Sequence, residues 1–170
     1  IDLNAIAKGW GVDQIFEYMR DAGMKNFMVE IGGEVRTLGK NNKGSHWKIG
    51  IDKPMIGTVP GEEIYSVVSV SNQAMATSGN YRNFQEYNNV KYSHIIDPRT
   101  GQPTQSNITS VTVIAPNCMD ADALATALNV MDVKEGKALV ESLDGIEAFW
   151  ITKEKGHVRS VATSGIPIDN

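Results

Sequence analysis

Cysteine is nearly absent: the 170 residues hold only Cys118. One thiol excludes an internal disulfide and any cysteine-built metal cluster, and it suits a reducing or an exported setting equally. It stands where a helical pattern begins, a place where a small semi-buried thiol is the common outcome, so it is not read as a nucleophile. Positive charge is also scarce. Lys+Arg 16 stand against Asp+Glu 20 for a net charge of −4, with no basic block. Nucleic-acid binding is therefore disfavoured, because binders of the phosphate backbone present a basic face. No apolar run approaches the ~18 residues that cross a bilayer. Low-complexity tracts and linkers are lacking, and Ala-Thr-Ser-Gly at 76–79 and 162–165 has unlike flanks, so it marks no repeat. The chain opens on Ile1 without a Met, and Ile1-Asp2-Leu3 reads as the end of a strand already under way. It is expected to be a fragment, with any signal peptide or lipid anchor in the missing upstream part.

What is present is the composition of an ordinary globular domain, 41% hydrophobic and 21% charged, of a size for one good core spanning 1–170. Residues 1–22 read as a short strand, a turn and a helix whose apolar stripe is Val12, Ile15, Phe16 and Met19, with Gly23 past its end. Strands are expected at Phe27–Ile31, Glu34–Leu38, Trp47–Ile51, Tyr65–Ser71, Lys91–Ile96 and Ile108–Ala115. Residues 53–63 read as a surface loop, and Ala76 to Arg82 as a small-polar turn. Asn117 with Asp120 opens one helix and Asp132 with Glu135 a second, which runs through Leu143 and stops at Gly145. A hairpin turning at Lys155-Gly156 closes the chain, and His46 and His157 read as solvent-facing. Hairpins mixed with separate helices predict an α+β fold, with antiparallel or mixed sheets and flanking helices.

Four places could carry chemistry, each with an ordinary alternative. Asp122 and Thr126 are four apart, so both oxygens leave one helix face. A carboxylate plus a hydroxyl suits a hard cation such as Mg²⁺; equally, Asp122 could only compensate the helix dipole and Thr126 bond back to its own helix. Asp2-Leu3-Asn4-Ala5-Ile6-Ala7-Lys8-Gly9 offers small residues, a lysine and a helix start, all favourable to an anion, or else a solvated lysine beside a tight turn. Gly32-Gly33 permits close backbone approach to a ligand, or is a plain hairpin turn. His94 lies in a strand, where a lone histidine is usually structural, but its strand runs into the loop Asp97-Pro98-Arg99-Thr100-Gly101, which makes that reading less obvious.

Five segments, in order, resemble the ApbE family of flavin transferases: Asp2–Gly9, Ile31–Glu34, Ala76–Tyr81, Tyr92–Gly101 and Ala121–Leu128. Any one is weak; five in the family's order across nearly the whole chain are specific. The resemblance implies an ApbE-like (T-fold-like) domain and Mg²⁺-dependent transfer of FMN from FAD to a Ser or Thr hydroxyl of an acceptor flavoprotein, with release of AMP. It implies Asp122, Thr126 and the backbone carbonyl of Ala5 as metal ligands. Asp2 and Lys8 become FAD contacts, Gly32 and Gly33 approach the cofactor, and His94 and Ile95 form part of the flavin-side wall. His94 and Asp122 are the candidate catalytic residues. Histidine has an ordinary pKa suited to removing the hydroxyl proton, although Asp2 or Asp122 could act instead. The family further implies an exported protein, periplasmic or on the outer face of the cytoplasmic membrane and lipid-anchored when full-length, serving a flavoprotein subunit of a membrane redox complex. The family continues upstream of the first motif, so a fragment would carry an incomplete FAD pocket and could associate with its missing N-terminal part or with a second copy. Two other functions fit the same residues: a pyrophosphatase giving FMN and AMP, and a non-catalytic FAD-binding fragment. Asp122, Thr126, Lys8 and His94 together weigh against the last, since a pure binder needs no metal site.

Overall fold

A computed structural model describes residues 2–169 apart from 56, 60, 81–83, 88–89 and 105. In chain order the elements are helix α1 (Asn4–Asp21), the hairpin β1 (Phe27–Ile31) and β2 (Glu34–Leu38), and the hairpin β3 (Trp47–Asp52) and β4 (Ile64–Val70). Strand β5 (Ala74–Gly79) precedes two small hairpins, β6 (Phe84–Tyr87) with β7 (Val90–Ser93) and β8 (Ile96–Asp97) with β9 (Gln102–Pro103). Then come β10 (Ile108–Ala115), α2 (Cys118–Val130), α3 (Val133–Glu141) and the closing hairpin β11 (Glu147–Glu154) and β12 (His157–Ala162). The expected α+β class is the observed one. Among the described residues no helix is long and apolar enough to cross a membrane.

One antiparallel sheet in the order β1-β2-β5-β10-β11-β12 organises the molecule. Alternation along its strands divides the core in two. Ala76, Val111, Val113, Ala115, Ala148 and Trp150 face α2 and α3, meeting Ala121, Ala125, Leu128 and Val140. Their neighbours Met75, Ile114, Phe149 and Ile151 face the β3–β4 hairpin and meet Ile51, Val68 and Val70. A third cluster seats α1: Val12 and Phe16 pack on Phe27, Val29 and Ala74, with Cys118 of α2 beside them.

Several expectations are corrected. Helix α1 begins at Asn4 and absorbs Ala5 to Gly9, so there is no initial strand and turn at residues 2–9; Ile1 lies outside the described residues. Asp2 sets the start, since its Oδ1 accepts from the Asn4 amide at 2.8 Å. Ile15 does not join the core stripe and is exposed. Ala76 to Gly79 is strand: β5 pairs with β10 along its whole length, from Ala74 opposite Ala115 to Gly79 opposite Ser110. Local propensity argues against a strand of Ala, Ser and Gly, but α2 lies on β5 and leaves room only for small side chains. Of the rest of that predicted turn, Asn80 forms a bend after β5, while Tyr81 and Arg82 lie outside the described residues. The strand expected at Lys91–Ile96 is broken: β7 ends at Ser93, β8 begins at Ile96, and His94 and Ile95 form the bend between them. The Ser93 hydroxyl makes that bend by accepting from the Ile95 amide at 3.0 Å, a turn that serine favours. Helix α3 ends at Glu141, short of Leu143, and its cap Asp132 accepts from the Lys134 amide and not from Glu135.

Candidate active site

The candidate residues from the N-terminal and C-terminal parts of the chain meet where α1 packs on α2. Gly9 is the hinge of that contact. A Cβ there would collide with the Cys118 carbonyl and stand 2.8 Å from the Asp122 Cβ. The glycine is thus required by helix–helix approach, not by a turn. Its amide donates to Asp122 Oδ2 at 2.9 Å. In a regular α-helix the carbonyl aimed at the residue-9 amide is that of residue 5. The Ala5 carbonyl and the Asp122 carboxylate, 117 positions apart, therefore converge on one N–H. Thr126 follows Asp122 by one helical turn on the same face and is half-buried.

The junction is held by a second carboxylate that sequence reasoning passed over. Asp13, buried on α1, accepts from the Cys118 and Met119 amides at 2.9 Å each, so it caps α2 from a neighbouring helix. Its Oδ1 also lies 2.8 Å from Arg36 Nη1, which in turn reaches Glu17 at 3.0 Å. The Arg36 guanidinium stacks 4.0 Å above the Phe16 ring. Asn117 accepts from the Asp120 amide as its sequence spacing predicted. The first N–H groups of α2 are thereby spent on protein partners. The polarity of that end holds the fold together and is not left for a ligand.

Lys8 emerges beside this contact. Its Nζ is 2.7 Å from Glu34 Oε1, while its stem passes Gly32, where the left-handed φ of +61° favours glycine. Glu34 was part of a recognised motif yet received no role from sequence. It is only 1% exposed, and among the described residues its Oε2 has no hydrogen-bond partner. Burial pushes the Glu34 carboxyl above its ordinary range; Lys8 opposes the rise, and the charge on Asp122 adds to it. Burial likewise raises Asp122, against the pull of the Gly9 amide and Lys8. Around one helix contact the carboxylates Asp13, Glu17, Glu34 and Asp122 face the cations Lys8 and Arg36. That imbalance and the raised Asp122 are what an added cation would relieve. The nearby oxygen donors — carboxylate, hydroxyl and backbone carbonyl — are those Mg²⁺ prefers. Among the described residues no three of His, Cys, Asp and Glu form a metal cluster.

The remaining candidates are placed as follows. Asp2 is exposed at the start of α1, and the Ala5 residue itself is exposed. Gly33 has φ +103° and, with Gly32, lines a cleft of about 620 Å³ on the opposite side of the sheet, between β2, β5 and the β3–β4 hairpin. His94 is exposed on its bend, while the Ile95 side chain is buried. Cys118 is buried with Sγ 3.6 Å from the Val35 carbonyl, and burial pushes its thiol up, so it stays protonated and unreactive.

The ApbE family model matches residues 1–150. The chain belongs to the ApbE family. Curated ApbE relatives include the FAD:protein FMN transferase of Vibrio cholerae serotype O1, 44% identical over 164 residues that make up 96% of this chain and 48% of that protein. Another is the FAD:protein FMN transferase of Haemophilus influenzae, 47% identical over 140 residues, 82% of this chain and 39% of that one. Among solved structures, the flavin transferase ApbE from Vibrio cholerae superposes with a TM-score of 0.82 at 43% identity, over 96% of this chain and 50% of that one. The apo flavinyl transferase ApbE of Pseudomonas stutzeri gives 0.81 at 35% identity, over 96% and 49%. The chain thus spans about half the length of the curated relatives it matches.

Proposed function

We propose that this chain carries the metal and pyrophosphate side of an FAD:protein FMN transferase. The observation that supports it most is the Gly9 contact, where Asp122 and, by helix geometry, the Ala5 carbonyl share one amide. Asp122, Thr126 and the Ala5 carbonyl would hold Mg²⁺, which when bound neutralises the charge of the FAD pyrophosphate and stabilises the departing AMP phosphate. Lys8 would contact the pyrophosphate from α1, leaving or sharing its pairing with Glu34. Gly32 and Gly33, without side chains, let the cofactor approach the β1–β2 turn, and Asp2 provides a further contact.

In the reaction, the oxygen of an acceptor Ser or Thr attacks the FMN phosphorus. A new P–O ester bond forms, the bridging P–O bond of the pyrophosphate breaks, and the electron pair leaves with AMP. The hydroxyl proton goes to a base, for which His94 is our candidate. The exposed bend leaves it open to an acceptor chain, and Ile95 would form the adjoining flavin wall. The acceptor is taken to be a flavoprotein subunit of a membrane redox complex outside the cytoplasm, as the family resemblance implies.

The test is to incubate the chain with FAD, Mg²⁺ and such a subunit, following AMP release and flavin fluorescence that survives denaturation. Stoichiometric AMP and protein-bound flavin, both lost in Asp122→Ala, are expected. AMP with free FMN and no labelled acceptor would replace the transferase with a pyrophosphatase. Neither product would refute both readings for this chain.

A further inference from the structure

The helix that carries Asp122 and Thr126 also carries Asn129, one more step along the same face. Asn129 is completely buried, and its amide is fully engaged. Nδ2 donates to the Ser78 carbonyl at 3.0 Å and lies 3.4 Å from Ser78 Oγ. Because a carbonyl can only accept, the orientation of every group beyond it is fixed. Asn129 Oδ1 must accept, and does so from Asn80 Nδ2 at 2.7 Å. That leaves Asn80 Oδ1 to accept from the Ser93 hydroxyl at 3.1 Å. The Ser93 oxygen then has a lone pair for the Ile95 amide, at 3.0 Å. One directional chain of hydrogen bonds thus runs from the C-terminal end of α2, past the end of β5, into the bend that bears His94 and Ile95.

The far flank of the bend is tied to the same helix end. Arg99 Nη2 donates to the Val130 carbonyl at 3.1 Å, and Ser106 Oγ lies 3.4 Å from the Asn129 carbonyl. The Ile95 carbonyl itself accepts from the Thr104 amide at 2.9 Å. Two short segments with little sequence-determined structure are therefore registered on the element that presents the oxygen ligands. Two-residue strands and a bend cannot hold a position to within a fraction of an ångström alone, and reacting groups misplaced by about 1 Å can lose about a hundredfold in rate.

We propose that Asn129, Asn80 and Ser93 are positioning residues, which fix the His94–Ile95 bend relative to Asp122 and Thr126. The role rests on the flavin-transfer reading above. The middle and outer links can be broken without opening the core, since Ser93 and Asn80 are only partly buried.

Two measurements on the whole chain test it: amide hydrogen exchange at Ile95, and kcat/KM for AMP release from FAD with Mg²⁺ and acceptor. In Ser93→Ala, the Ile95 amide is expected to exchange about tenfold faster while the amides of β10 keep their protection. With it, kcat/KM should fall about tenfold. Ser93→Thr, which keeps the hydroxyl, should restore both, and the melting temperature of both variants should match the parent's. Unchanged Ile95 exchange in Ser93→Ala would overturn the proposal; so would faster exchange with kcat/KM intact. An inactive parent chain would instead bring down the flavin-transfer reading and this role with it, whereas an active parent indifferent to Ser93→Ala refutes the positioning role alone.

Discussion

The two faces of the six-stranded sheet are built on opposite plans. Under α1 and α2, charged and polar groups are buried in company: Asp13 with Arg36 and two helix amides, Glu34 with Lys8, Asp122 with the Gly9 amide. On the other face the β3–β4 hairpin covers the sheet only in part. The cleft beside it is walled by Gly32, Gly33, Gly50 and Gly79, over Val35 and Met75. Glu30 and Asp52 also line it, Thr77 and Thr112 pair at 2.8 Å, and among the described residues the buried Ser110 hydroxyl has no partner. Burying carboxylates without matching cations costs stability. The buried charge is concentrated on the helix-covered face.

If the helix face is a close-fitted junction, the largest loss should come from wedging it apart. Gly9→Ala should cost about 3 kcal/mol, the upper end for overpacking, read as a lower urea midpoint at unchanged slope. Asp13→Ala, which strips the Cys118 and Met119 amides of α2 of their acceptor and, among the described residues, leaves Arg36 paired with Glu17 alone, should cost about 2 kcal/mol by the same measurement. Glu34→Gln should act through pH. Because the folded-state pKa of Glu34 lies above 4.5, the folded chain binds the proton more tightly than the unfolded one between these values. Stability contributed by this group is therefore full below about 4.5 and is lost as pH rises through the folded value. Melting temperatures of the parent should show that decline, and Glu34→Gln should make it shallower, Asp122 adding a decline of the same sign; a parallel decline in both would assign it to other groups. The opposite face supplies the smallest effect. Ser110→Ala removes a buried hydroxyl that has no partner among the described residues, and should shift stability by no more than about 0.5 kcal/mol in either direction. A loss comparable to that of Asp13→Ala would mean that the cleft is as tightly organised as the junction.

How much of this was legible beforehand depended on whether the controlling interactions were local. The hairpin turn at Lys155-Gly156, with φ of +47° and +84°, and the Asn117 cap were readable because turn and cap chemistry is confined to a few residues. The strand Ile108–Ala115 was readable because its apolar, β-branched run admits little else. Strand β5 was not: its small side chains answer to the helix lying on them, a contact some 50 residues away. Gly9 misled in the same manner, as a glycine that signals a turn locally but serves a helix crossing. At the site, Asp122, Thr126 and Lys8 stood out by residue type and motif. Glu34 and Asp13 did not, because an acidic side chain is ordinary in sequence and becomes unusual only once the fold has buried it. The Asn129–Asn80–Ser93 chain was equally hidden, its links spanning 49 and 13 positions.

The central claim is that the α1–α2 junction binds a divalent cation and, through it, a pyrophosphate. Calorimetric titration of FAD into the chain with and without Mg²⁺, repeated on Asp122→Ala, tests it most directly. The claim requires Mg²⁺-dependent FAD binding that the variant loses while keeping its fold. FAD binding that is indifferent to Mg²⁺ and to Asp122, or no binding by the folded parent, would contradict it.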